Sequence, residues 1–202
     1  LFQEGGLLYA WQKGLGGNFF GIFVYYLASP FNWILFLTDQ IEWGILALTL
    51  AKIGLSGLSF SLFLHLRQGR VKFSNCAFAV MYGLMSYFLM NSFNLLWLDG
   101  LIFLPFIIFG MERIVDGKGP LPFILALTAM AISSFYITYM VGLFCLLYFF
   151  YLWVTRFGRG ELRLVLNRLF HLAAATLCSA AIAGVTLLPA FFALQQGKAA
   201  DT

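Results

Sequence analysis

The chain has 202 residues, of which 62% are hydrophobic and only 10% charged, and its mean hydropathy is +0.91. Soluble domains carry about 25% charged residues, so this composition excludes an ordinary water-soluble domain and indicates a polytopic membrane protein. The apolar runs are apolar on every face rather than alternating, which excludes a lipid-spanning β-barrel; the net charge of +4 follows the loops, as set out below, and gives no reason to expect nucleic acid.

Residues 1–42 read as an extracytoplasmic segment. Leu1 to Asn18 mixes Glu4 and Lys13 with glycines, which suits a surface-lying stretch. Phe19 to Leu37 is long enough to span, yet Ser29-Pro30 interrupts it and frees backbone groups that lipid cannot satisfy. Interfacial or re-entrant pieces are therefore expected, with Tyr25, Tyr26 and Trp33 at headgroup depth and Asp39 and Glu42 closing the segment on an aqueous side.

Residues 43–190 read as a transmembrane bundle. Trp43 to Leu64 is the first complete span and carries Lys52 about 13 Å from its start. Two readings stand for that lysine. Its stem can snorkel to the nearer interface, or Lys52, Ser56 and Ser59, at i, i+4 and i+7, can form one polar face that looks into the protein. Gly54 and Gly57 would allow a neighbouring helix close approach. A basic loop, His65 to Lys72, precedes a second apolar run, Cys76 to Met90, and Leu101 to Ile114 returns as a third, bent at Pro105.

Between these two runs lies Asn91-Ser-Phe-Asn-Leu-Leu-Trp-Leu-Asp99, a polar and aromatic turn at one membrane face. Asp99 beside Trp97 is either a plain interfacial anchor or an ionisable group retained for function. Pro120 to Val154 would measure about 50 Å as one helix against a hydrocarbon core of about 30 Å. It must be two spans, with the break near Ser133-Ser134-Phe135-Tyr136. The last span runs from about Leu169 to Pro189, and residues 191–202 begin a further extracytoplasmic segment. The expected fold is thus all-α, a polytopic bundle of about six spans plus interfacial or re-entrant helices. Because it opens at Leu1 without an initiator Met, the chain is expected to be part of something longer.

Of twelve Lys and Arg residues, Arg67, Arg70, Lys72, Arg113, Lys118, Arg156, Arg159, Arg163 and Arg168 fall in alternate loops on one side. The positive-inside rule makes that side cytoplasmic and puts Asp39, Glu42, the Asn91–Asp99 turn and the Ser133–Tyr136 break outside. His65 and His171 lie at the inner interface among arginines, which argues against a catalytic or metal role for either. Cys76, Cys145 and Cys178 sit within apolar runs without metal-ligand spacing, so no metal site is expected. The outer side collects carboxylates, amides and aromatics. Aromatic faces stack on sugar rings, amides and carboxylates take their hydroxyls, and a carboxylate can act as general base. Asp99 and Asp39 are the candidate catalytic residues; Lys52, Asn91, Asn94, Trp97, Tyr136 and Tyr139 are the candidate substrate-binding ones, with Lys52 deep enough to meet a phosphate at headgroup level.

Gly-Leu-Gly-Gly-Asn18, Tyr-Tyr-Leu-Ala-Ser-Pro-Phe-Asn32, Asn-Leu-Leu-Trp-Leu-Asp99 running into a Leu-Pro helix that ends Gly-Met-Glu-Arg113, and Ser-Ser-Phe-Tyr-Ile-Thr-Tyr139 together resemble the bacterial YfhO family of membrane proteins. The resemblance covers nearly all of the chain and implies a GT-C-like glycosyltransferase of the bacterial plasma membrane. It further implies a polyprenyl-phosphate sugar donor and an envelope glycopolymer acceptor such as lipoteichoic acid; it implies no particular cofactor. In that fold the principal catalytic aspartate usually follows the first helix, a part expected to precede Leu1, which leaves Asp99 and Asp39 in supporting roles. A transporter or flippase of a lipid-linked or polar substrate is the alternative, and it would be expected to line a path between both sides with polar groups.

Overall fold

The computed structural model describes residues 9–10, 17–18, 29–37, 39–70, 72–157 and 161–199. The architecture is all-α apart from a two-residue antiparallel pairing of β1 (Tyr9–Ala10) with β2 (Gly17–Asn18). A 3-10 helix, Pro30–Leu37, precedes α1 (Ile41–Gln68), α2 (Phe73–Gly83), α3 (Ser86–Met90), α4 (Leu95–Val115), α5 (Leu121–Ser133), α6 (Phe135–Arg156) and α7 (Leu162–Ala199). Four of these, α1, α4, α6 and the Leu162–Leu188 part of α7, are long and apolar enough to cross a membrane, and α5 is a shorter apolar helix. The expectations for Glu4, Lys13, Tyr25 and Tyr26 lie outside the described residues.

Helix α4 is the centre. Half of its apolar window is buried, against 22% for each of the other three long helices, and it packs against α1, α5, α6 and α7. Its core is Ile107, Met111, Ile114 and Val115, closed by Phe123 and Met130 of α5 and by Val141, Cys145 and Phe149 of α6. The outward faces remain apolar. Leu50, Leu58 and Leu62 of α1, Leu146, Leu147 and Phe150 of α6 and Leu177 and Ile182 of α7 are all exposed, as helices in contact with lipid require.

Close approach depends on small residues at two places. A Cβ on Gly57 would meet the Ala79 carbonyl oxygen at 3.0 Å and one on Gly83 the Ile53 carbonyl oxygen at 3.1 Å, so α1 and α2 touch backbone to backbone. Gly54, expected to share this role, faces open space. A Cβ on Gly110 would collide with the Phe123 backbone nitrogen, which fixes α4 against the start of α5.

Proline positions explain two further features. Pro105 stays inside α4, where its missing N–H leaves the Leu101 carbonyl without the usual helical donor. The Tyr82 hydroxyl of α2 donates to that carbonyl at 2.9 Å, which resolves in apolar surroundings what water would otherwise satisfy. Pro30 opens a separate 3-10 helix packed on α1, with Trp33 and Phe36 exposed on its far side.

The apolar stretch after Pro120 divides where its length requires. Ser134 is extended (φ −160°, ψ 100°) between α5 and α6, and α6 runs back so that Arg156 reaches Asp116 at the end of α4. Two expected spans differ in detail. Cys76 to Met90 is not one helix but α2 and α3, parted at Leu84-Met85, where Met85 is extended. The last helix starts at Leu162 and continues beyond Pro189 to Ala199, about 57 Å in all, so it outruns the bilayer.

Candidate functional site

One polar stripe of α1 faces α4. Lys52, Ser56 and Ser59 are all buried, and the two serines donate within their own helix, to the Ile53 and Ser56 carbonyls at 2.8 Å. Lys52 has no such local partner. Its ammonium lies 2.5 Å from Asp99 Oδ1, donates to the Leu95 carbonyl at 2.8 Å and sits 5.9 Å from the centre of the Phe31 ring. The Leu95 carbonyl and Asp99 Oδ1 engage two of its three N–H groups, while the Phe31 ring stands only at cation–π range and takes no hydrogen.

Both ionic side chains are fully buried, at 0% exposure, which decides between the readings left open above. Lys52 does not snorkel and Asp99 is not an interfacial anchor. Asp99 belongs to the first turns of α4 and points into the bundle, while buried Ser29, ahead of the 3-10 helix, lies beside its carboxylate. Taking two charges out of water costs several kcal/mol per ion, and the attraction repays it only with good geometry. Here the geometry is incomplete: neither Asp99 oxygen receives a well-formed hydrogen bond among the described residues, although Lys52 and Ser29 stand beside them. A buried carboxylate oxygen with free lone pairs calls for an explanation beyond stability.

The other candidates divide. Trp97 of α4 stacks on Tyr136 of α6 with ring centres 6.3 Å apart, so the Asn91–Asp99 turn and the α5–α6 break share one end of the bundle. Tyr139 is exposed and lines, with Phe135, Thr138 and small residues of α7, an apolar cavity of about 500 Å³ between α5, α6 and α7. Asn91 donates its side-chain amide to the Tyr87 carbonyl at 3.0 Å and closes α3, while Asn94 precedes α4 as its cap residue. Asp39 is exposed before the start of α1, which stands about 16 Å along the axis from Lys52, and does not join the pair.

A second charged cluster, not anticipated from the sequence, gathers around Glu112 and Arg113. They belong to the last turns of α4. Glu112 is buried and accepts a hydrogen bond from the Tyr148 hydroxyl at 2.7 Å; Arg67 lies at 3.2 Å and Arg156 at 3.8 Å from the same oxygen, and Arg156 also pairs with Asp116. The signal was present: Glu112 and Asp116 stand four residues apart, on one helical face. Among the described residues no group of His, Cys, Asp or Glu is placed to hold a metal ion.

The sequence is similar to "Uncharacterized protein YfhO" of Bacillus subtilis (strain 168), with 28% identity over 188 residues, covering 84% of this chain and 22% of that protein. The chain thus spans about a fifth of its relative's length. No solved structure matches. The family described as "Bacterial membrane protein YfhO" matches residues 1–202, and the chain belongs to that family of bacterial membrane proteins.

Proposed function

We propose that the chain contributes to an integral membrane glycosyltransferase of the bacterial plasma membrane, which moves a sugar from a polyprenyl-phosphate donor to an envelope glycopolymer on the outer face. The observation that carries the reading is the buried Lys52–Asp99 pair, whose carboxylate lacks a well-formed hydrogen bond among the described residues, set at the end of the bundle where Trp97 and Tyr136 stack. In this reading the basic end is cytoplasmic, Asp99 Oδ2 accepts the proton of an acceptor hydroxyl, and Lys52 holds the carboxylate in place. Lys52 is sealed from solvent between the Leu95 carbonyl and Asp99, so it positions Asp99 rather than gripping the donor phosphate. Because Phe31 and Ser29 close over the pair, the acceptor reaches Asp99 only when the stretch around the 3-10 helix moves aside. In the proposed topology Asp39, Asn91, Asn94 and Tyr139 belong to this same outer side.

The transporter reading has less support. Asp99 and Glu112 lie about 20 Å apart along α4, the buried residues of α4 between them are Gly100, Ile102, Pro105, Ile107, Gly110 and Met111, and the hydroxyls of Ser56 and Ser59 on α1 are spent within their own helix.

The test is sugar transfer by the intact protein in membranes supplied with a defined polyprenyl-phosphate sugar. Asp99→Asn is expected to lower kcat by about 10²-fold or more per folded molecule, with a smaller change in KM. Near-normal turnover by that variant would remove Asp99 from the chemistry, and absence of transfer with every donor tried would remove the glycosyltransferase reading altogether.

A further inference from the structure

At the opposite end of the molecule a cavity of about 300 Å³ opens among Arg67 of α1, Arg113 of α4, Lys118 and Arg156 of α6, with Glu112 and Asp116 as the acidic part of its wall. Four cations face two carboxylates, which leaves two positive charges in excess. The carboxylates are already committed. Glu112 takes Tyr148, Arg67 and Arg156, and Asp116 takes Arg156. Arg113 and Lys118 therefore have no acidic partner among the described residues, and Arg113 Nε is buried without a hydrogen bond, its guanidinium instead lying 5.7 Å from the Phe109 ring.

A third cation with no acidic partner among the described residues stands next to the cavity. Gly117 turns the chain from α4 to α5 with φ +79°, its own N–H bonding to the Ile114 carbonyl at 3.0 Å and that of Lys118 to the Arg113 carbonyl at 2.8 Å. The guanidinium of Arg168 from α7 packs on Gly117 so closely that a Cβ there would meet it at 2.6 Å, and Arg168 Nε is likewise buried and without a partner among the described residues. Cations kept unpaired around a preformed cavity repel one another, and a bound anion relieves that repulsion.

The rest of the wall says which kind of anion. Leu66, half exposed on the outer face of α1, and Phe109 of α4 carry the cavity into the apolar surface of the bundle. A free inorganic anion gains nothing from those two side chains, whereas a lipid lays an acyl chain along them while its headgroup enters the cavity. Basic pockets between membrane helices commonly hold acidic headgroups in this way. We propose that this cavity is a binding site for one anionic phospholipid, whose phosphate takes donors from Arg113 and Lys118 and whose acyl chain lies against Leu66 and Phe109.

The experiment is native mass spectrometry of the intact protein in detergent, titrated with phosphatidylglycerol, phosphatidylcholine or inorganic phosphate. Wild-type protein is expected to retain one phosphatidylglycerol in preference to phosphatidylcholine, and millimolar phosphate should not displace it. Arg113→Gln with Lys118→Gln should weaken retention by ~30-fold, about fivefold for each cation lost. Lys72→Gln, an exposed basic residue outside the cavity wall, should leave it unchanged. Asp116→Asn should tighten it, a change of sign that general damage to the fold would not produce. If the double variant does not fold, the exposed Lys118→Gln alone should still lose about fivefold. Equal retention of the two lipids, equal loss in Lys72→Gln and Lys118→Gln, or displacement by inorganic phosphate would each overturn the lipid site, the last in favour of a free phosphate ligand.

Discussion

Helix α4 carries a buried carboxylate near each end, and the protein treats the two in opposite ways. Asp99 meets Lys52 on the neighbouring helix, both partners are sealed from solvent, and among the described residues neither carboxylate oxygen finds a well-formed hydrogen bond. Glu112 meets a tyrosine hydroxyl and two arginines whose side chains remain 50% and 32% exposed. The first arrangement is a closed pair in low dielectric, where removing one member strands the other. The second is an open network in which water and spare cations can replace a lost partner. Position along one helix thus decides whether a carboxylate is a point of tension or a point of attachment, because the supply of donors differs at the two ends.

The sharpest way to break this comparison is at the closed pair. Lys52→Met should destabilise the protein by about 3–5 kcal/mol, since it leaves Asp99 buried without a counter-charge; thermal or denaturant unfolding of the intact protein in detergent reads this. Combining it with Asp99→Leu should recover most of the loss, as apolar replacements of buried pairs often do. A single variant as stable as wild type would mean that the pair is not sealed in the membrane-embedded protein.

At the open network Glu112→Gln should cost less, about 1–3 kcal/mol, because the amide oxygen still accepts from Tyr148 and the freed arginines turn to solvent. A loss as large as that of Lys52→Met would erase the contrast between the two ends. The smallest effect is expected for Arg67→Gln, below about 1 kcal/mol in stability. That difference should fade in high salt, where exposed charges are screened over a few ångströms, while the penalty of Lys52→Met should not respond to salt. Parallel salt dependence in the two variants would show that water reaches both sites alike.

The division between what was legible and what was not follows the range of the interactions. Hydrophobicity is a local property of the chain, so the membrane class, the helical fold, the interruption at Ser29-Pro30 and the break near Ser134 could be read directly, the last from length against bilayer thickness alone. The spacing of Lys52, Ser56 and Ser59 also offered an inward face as one of two readings, since helical periodicity is local. The sequence by itself therefore determined the elements and which residues were unusual for lipid. Only the tertiary structure decided their partners: that Lys52 reaches Asp99 across 47 positions, that Tyr82 serves the carbonyl freed by Pro105, and that Arg67 and Arg156 converge on Glu112. Each of those contacts joins separate helices, and which faces meet is fixed by the packing of Gly57, Gly83 and Gly110 against neighbouring backbone, a collective outcome that no stretch of chain carries alone.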